Sequence, residues 1–254
     1  MKKVVVISDT HCGSPVGLTH PNFWVGGSVG KEQERLWGFF DEHAQKNADV
    51  LIYAGDAIDG AQPKTSGVEL QTADRNRQVK MALAVVERLK PKALFMVYGT
   101  RYHVGQSENW EDILADRVKD KLRIPVTIGP HEQLLVNGLL FDVKHKVAGS
   151  SVPHGRHTPI AKEKLWNVIW AAHGQRPVCD VLLRGHVHYY AYCGDRLGLC
   201  VDLPSLQGLG CDYGARECSG TVDFGLVEFS VESRTKWSWK AHIMPHKKAG
   251  AVVV

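Results

Sequence analysis

Three apolar runs of strand length, each followed by a stretch with helical periodicity, constrain this chain more than any other feature. "VVVISDTHCG" opens with Val4–Ile7, "DVLIYAG" carries the second run and "KALFMVYG" the third. None has helical spacing, and each is short enough to be a buried strand. After the first run, Lys31 to Gln45 reads as an amphipathic helix with Leu36, Phe39 and Phe40 at core spacing. "VELQTADRNRQVKMALAVVERLK" reads as one long helix stopped by Pro91, and the stretch from about Ser107 to Leu122 as a third, capped by Ser107. A β-α-β-α-β-α order implies parallel strands joined by right-handed crossovers.

The second half changes character. "EQLLVNGLLFDVKH" predicts a hairpin turning at Asn137-Gly138. A helix from about Pro159 to His173 follows, then the strand "DVLLRGHVH", then "YYAYCGDRLGLCVDL" and "GLVEFSVESRTKWSWKAHIM" as antiparallel pairs. Parallel strands first and antiparallel strands later predict an α/β fold with two mixed sheets packed face to face and helices outside. The 254 residues show no composition break, so the expectation is one domain over 1–254 with an ample core.

Composition excludes several classes. With 44% hydrophobic and 23% charged residues the chain has no disordered character. A net charge of +4 is compatible with phosphorylated substrates but falls short of a dedicated nucleic-acid binder. No helix-turn-helix, zinc finger or contiguous basic stripe is visible. The first strand starts at once, without a signal peptide, and no apolar run approaches membrane length, which predicts a cytoplasmic protein with no membrane contact. Cys12, Cys179, Cys193, Cys200, Cys211 and Cys218 lack C-x-x-C spacing, so free thiols are expected rather than a zinc ribbon or redox motif.

The chemistry lies where strands end. Asp9 and His11 follow the first run, Asp56 and Asp59 the second, and Thr100 and His103 the third. His145 ends the hairpin, and His186 and His188 follow a later strand. Polar residues at the carboxyl ends of strands face the crevice where open α/β sheets bind ligands. Each of these residues alone is equally readable as a cap or a satisfied polar group. Together, beside glycines that permit tight turns, they form the ligand set of a site with more than one metal.

This series resembles the calcineurin-like metallophosphoesterase family. The family pattern runs D-x-H, G-D-x-x-D, G-N-H, a single His and G-H-x-H, matched here by Asp9/His11, Gly55-Asp56/Asp59, Gly99 to His103, His145 and Gly185-His186/His188. The resemblance covers roughly Val4 to Tyr190. It implies a four-layer α-β-β-α sandwich and two divalent ions, with Asp9, His11, Asp56 and His188 on the first and Asp56, His145 and His186 on the second. Asp56 bridges them, and Asp59 supports a ligand or loop. The implied reaction is hydrolysis of a phosphate mono- or diester by a hydroxide bridging the ions. Manganese is favoured, with iron, zinc or nickel as alternatives, since a calcium site would be richer in oxygen. The implied partner is a phosphorylated small molecule or a nucleic acid substrate.

One segment departs from the pattern. In "GTRYH" Thr100 stands where the family has an amide ligand, and the histidine comes two residues late. A hydroxyl is a poorer neutral ligand, so the second ion is expected to bind weakly. His103 is read as general acid to the leaving oxygen, with direct ligation as the alternative. Arg101 is a candidate clamp on a phosphate oxygen or a plain surface residue. "GGSVGKE" is not a nucleotide-binding loop: Val25 stands at its first glycine and Glu32 at its metal-binding hydroxyl. The Phe23-Trp24 loop is read as a mobile flap that stacks a base or packs on the scaffold. His154, Arg156 and His157 belong to a solvated loop near the site. Two functional classes follow: a metal-dependent phosphoesterase or nuclease, and a binding scaffold on the same fold, like the retromer subunit that resembles this family.

Overall fold

The computed structural model describes residues 1–64, 66–105, 108–150, 152–196, 198–209 and 221–246. The first three runs form parallel neighbours β1 (Lys2–Ile7), β2 (Val50–Tyr53) and β3 (Leu94–Val97), and β4 (Val126–Gly129) adds a fourth. Helices α1 (Gly27–His43), α2 (Arg75–Leu89) and α4 (Trp110–Leu122) connect them, with the single turn α3 (Arg101–Val104) preceding α4. The second sheet holds β5 (Glu132–Val136), β6 (Leu139–Lys144), β7 (Val181–Arg184), β8 (Ala191–Asp195) and β9 (Gly198–Asp202), in the order β5-β6-β7-β9-β8. Its outer face carries α5 (His157–Ala172). β10 (Gly225–Ser233) and β11 (Lys236–Ile243) join the first sheet, giving β11-β10-β1-β2-β3-β4.

The two-residue period of the strands sorts their side chains into layers. Val4 and Val6, beside Phe229 of the same sheet, face Phe141, Val143 and Leu183 in the core between the sheets. Val5 and Ile7 face α1, α2 and α4 through Leu36, Phe40, Val79 and Leu114. Both faces of β1, β2 and β3 are therefore buried, which is why they read as continuous apolar runs. A smaller cluster of Ile160, Cys179, Leu182 and Cys200 seats α5 on the second sheet. The result is the four-layer α-β-β-α arrangement, with α5 the one α-helix of its last layer among the described residues.

The hairpin turns at Asn137 (φ 46°) and Gly138 (φ 86°), the two positive values a tight hairpin turn of this twist requires. Four expectations need correction. The long helix over 68–90 starts only at Arg75, where Asp74 accepts hydrogen bonds from the nitrogens of Asn76 and Arg77. The cap of α4 is Asn109 rather than Ser107, which lies outside the described residues. The expected antiparallel pairs β5-β6, β8-β9 and β10-β11 form, but the later strands are not all antiparallel, because β7 pairs in parallel with β6 and β9. The Phe23-Trp24 loop is not a mobile flap but takes the alternative of packing on the scaffold: Trp24 Nε1 donates to Thr19 O (2.9 Å), Gln71 Nε2 donates to Phe23 O (2.7 Å), and Phe23 packs on the core.

"GGSVGKE" lies across the start of α1, with Gly26 as its cap, and forms no phosphate cradle. Cys12, Cys179, Cys193 and Cys200 are free thiols; Cys211 and Cys218 lie outside the described residues. Among the described residues no helix is long and apolar enough to cross a membrane.

Candidate metal centre

The loops after β1 and β2 run side by side. The nitrogens of Asp9, His11 and Cys12 donate to the carbonyls of Gly55, Asp56 and Ala57, at 3.0 to 3.1 Å. This pairing delivers Asp9, His11, Asp56 and Asp59 to one place, each almost fully buried. β6 and β7 then bring His145, His186 and His188 against them, with Gly185 N donating to His145 O at 2.9 Å.

The backbone is strained there. Asp9 (φ 51°), His11 (42°), Asp56 (49°), His186 (78°) and His188 (57°) all occupy the left-handed region. Each such non-glycine residue costs roughly 1–3 kcal/mol and persists where the surroundings over-determine it, as at functional sites. Two glycines allow the close approach. At Gly99 an added Cβ would fall on the carboxylate and backbone nitrogen of Asp56. At Gly55, itself left-handed (φ 87°), it would lie 2.7 Å from His145 Nδ1.

Two groups of side chains could each hold an ion: Asp9, His11 and His188, and Asp56, His145 and His186. In the first, Asp9 Oδ1 lies 3.7 Å from His11 Nε2 and 3.2 Å from His188 Nε2, and the two Nε2 atoms are 3.2 Å apart. In the second, Asp56 Oδ2 lies 3.0 Å from His145 Nε2. Asp9 Oδ1 is also 3.8 Å from His145 Nε2, so the groups adjoin. A third group, His11, Asp59 and His103, shares His11 with the first.

Outer hydrogen bonds set the tautomers. His11 Nδ1 donates to Asp59 Oδ1 (3.0 Å) and His145 Nδ1 donates to Ala54 O (2.7 Å), which leaves each Nε2 facing the carboxylates. The buried Nε2 of His145 is thereby aimed at Asp56 Oδ2, 3.0 Å away. Asp59 is thus placed to orient His11.

The electrostatics favour a cation. Burial opposes charge on His11, yet hydrogen bonds to Asp59 and Asp9 outweigh it and hold its pKa up at about 10. Burial likewise opposes charge on His145, and Asp56 and Asp9 raise it to about 9. Burial also works against ionisation of Asp9 and Asp56, but facing histidines, His145 foremost, hold both carboxyls below the usual carboxylate range. A pocket that stabilises this much positive charge on imidazoles is one in which a metal can displace protons.

Thr100 faces Asp56. Its nitrogen donates to Asp56 Oδ1 at 2.6 Å, and its hydroxyl lies 3.2 Å from both carboxylate oxygens. His103 lines the same cavity of about 400 Å³ as His11, Asp56 and His188, with its Nδ1 donating to Asp59 O at 2.9 Å. Arg101, two residues before His103, is exposed and lines a different cavity on the other side of α3. Arg156 donates to Thr221 Oγ1 (2.8 Å) and lies over the Tyr189 ring, while His154 lines a separate depression. His157 begins α5.

The sequence reading missed Glu111. Fully buried in the first turn of α4, it accepts from Ala57 N (2.9 Å) and Gly99 N (2.7 Å), clamping the loops that carry Asp56 and Thr100. Burial, with Asp56 adding to it, pushes its carboxyl up to about 7. Glu111→Ala is expected to weaken metal affinity by about 10–100-fold, as loss of a supporting partner typically does. Calorimetric titration of the stripped variant with manganese reads this, and wild-type affinity would show that the loops hold without the clamp.

A family model, calcineurin-like phosphoesterase, matches residues 2–190, about three quarters of the chain and every residue of the two groups. The chain belongs to this family. Solved structures similar to this phosphoesterase-family chain include an archaeal phosphodiesterase, 14% identical over 95% of this chain and 99% of that one, with a TM-score of 0.47. Vps29 from Entamoeba histolytica, complexed with Zn²⁺, is 9% identical over 95% and 98%, with a TM-score of 0.46. Vacuolar protein sorting 29 from Cryptosporidium parvum is 12% identical over 96% and 98%, with a TM-score of 0.45. No curated protein sequence matches this chain significantly.

Proposed function

We propose that this chain is a divalent-metal-dependent phosphoesterase with two ions, one held by Asp9, His11, Asp56 and His188 and one by Asp56, His145 and His186. The observation that carries the reading is the set of inward nitrogens. His11 and His145 spend Nδ1 on outer partners, His11 and His188 bring two Nε2 atoms within 3.2 Å, and the buried His145 Nε2 lies 3.0 Å from Asp56 Oδ2. Imidazole nitrogens and carboxylates in this mixture suit manganese, iron, zinc or nickel.

Bound cations there supply charge neutralisation for a transferring phosphoryl group and a lowered pKa for a coordinated water. The chain's own residues hold and aim the parts. Asp59 fixes His11, Ala54 O fixes His145, and the amide and hydroxyl of Thr100 fix the Asp56 carboxylate. His103, with Nδ1 spent on Asp59, keeps Nε2 to give a proton to the leaving oxygen.

The test is protein stripped with chelator and re-supplied with manganese, nickel, zinc or magnesium, assayed on an aryl phosphate monoester, an aryl phosphodiester and single-stranded DNA. Hydrolysis restored by at least one transition metal is expected. Metal binding without hydrolysis of any of the three would overturn the enzyme reading in favour of a binding scaffold.

Thr100 gives a sharper prediction. Because its hydroxyl engages Asp56, the ion on Asp56, His145 and His186 gains little from it and is the labile one. Activity should keep rising with manganese beyond the level that fills the tighter site. Thr100→Asn is expected to move that dependence to lower manganese, since an amide oxygen is a better ligand. An unchanged titration would remove residue 100 from the account.

A further inference from the structure

The turn α3 separates two cavities. Tyr102 and His103 line the one of about 400 Å³ that holds Asp56, and Arg101 and Val104 line a neighbour of about 500 Å³. His145 lines the neighbour and its Nε2 meets Asp56 Oδ2 at 3.0 Å, so the two cavities adjoin at the carboxylate that both proposed ions share. A substrate centred there has room on both sides.

Besides His145, the neighbour is lined by Arg101, Lys144 and Lys146 and by one acidic side chain, Glu108. Lys144 is committed to Glu163, with Nζ to Oε2 at 2.7 Å. Arg101 and Lys146 are exposed and make no ion pair among the described residues. A phosphate monoester seated on the metal ligands has no group that needs them. A chain with a second phosphate next to the scissile one does.

Resting on the phosphoesterase reading above, we infer that the substrate is a nucleotide chain, with the phosphate adjoining the scissile one seated between Arg101 and Lys146. Its other arm lies in the first cavity, beside the Tyr102 ring and the exposed Lys64 amine 5.6 Å from that ring's centre. A planar ring beside a cation is a sequence-tolerant platform for a base. The chemistry selects single strands by charge and stacking, consistent with the absence of any sequence-reading motif.

The test uses the full chain and fluorescein-labelled hexathymidylate. Anisotropy titrations, with chelator and with manganese, compare wild type with Arg101→Ala/Lys146→Ala over a range of salt. The double variant is expected to bind about tenfold more weakly or worse. Its salt slope should be smaller by roughly 0.7, the loss of one neutralised phosphate on a single strand. With manganese, the ratio of kcat/KM for hexathymidylate to that for bis(p-nitrophenyl) phosphate should fall by a similar factor. No binding of hexathymidylate by wild type, or equal affinity and slope in both proteins, would overturn the inference. Because anisotropy needs no turnover, failure of hydrolysis on every ester, with binding intact, would count against the enzymatic reading alone.

Discussion

Asp56→Asn is expected to lose turnover by about 10³-fold or more, the several kcal/mol that metal-borne charge stabilisation supplies, and to lose bound metal as well. The carboxylate sits against His145 Nε2 and accepts from both the amide and the hydroxyl region of Thr100. An asparagine of the same shape can keep the bond from Thr100 N with its oxygen. Its NH₂ group then faces His145, where a donor cannot serve as a ligand. The variant also removes the negative charge that holds His145 at about 9. Elemental analysis of purified protein separates the effects. Loss of activity with normal metal content would mean that Asp56 is not a shared ligand, and Asp9, whose Oδ1 adjoins both groups, would take that part.

The legible and illegible parts of this chain differ in their physical origin. The first three strands declare themselves because both of their faces are buried, and the hairpin because Asn137-Gly138 supplies two positive φ values. β4 has no such signal: it is an edge strand of four residues, mostly half-exposed, behind Pro125. Val68 and Leu70 extend the apolar spacing of α2 backwards, but Val68 is 81% exposed and the chain turns until Asp74 caps the helix. A strand's alternation tells which face it buries but not which edge it joins, so the pairing of β10 with β1, more than two hundred residues apart, is visible only in space.

The site follows the same division. Candidate ligands end strands and neighbour glycines, a pattern local in sequence. Glu111 instead looks like any acidic residue in the first turn of a helix, where the dipole favours it. Its buried bonds to Ala57 and Gly99 depend on α4 lying across two loops. The inversion of Arg101 and His103 across α3 is also a tertiary fact. One helical turn presents successive residues to different sides, so neighbours in "GTRYH" line different cavities.

His103→Ala is expected to lower turnover by about 10²–10⁴-fold on esters with poor leaving groups, the range that a positioned general acid supplies. The same variant should hydrolyse p-nitrophenyl esters far closer to the wild-type rate, because that leaving group departs as the anion without a proton. The geometry supports this split. His103 reaches inward from α3 with Nδ1 engaged by Asp59 O, and its side chain is 18% exposed, open to the cavity in a way that His11 and His145 at 2% are not. Metal content decides against the competing part, since His11, Asp59 and His103 could also hold an ion together. A general acid can be removed without losing metal, whereas a ligand cannot. Equal losses on good and poor leaving groups, together with a lowered metal content, would make His103 a ligand and leave protonation of the departing oxygen to water or to another group in the cavity.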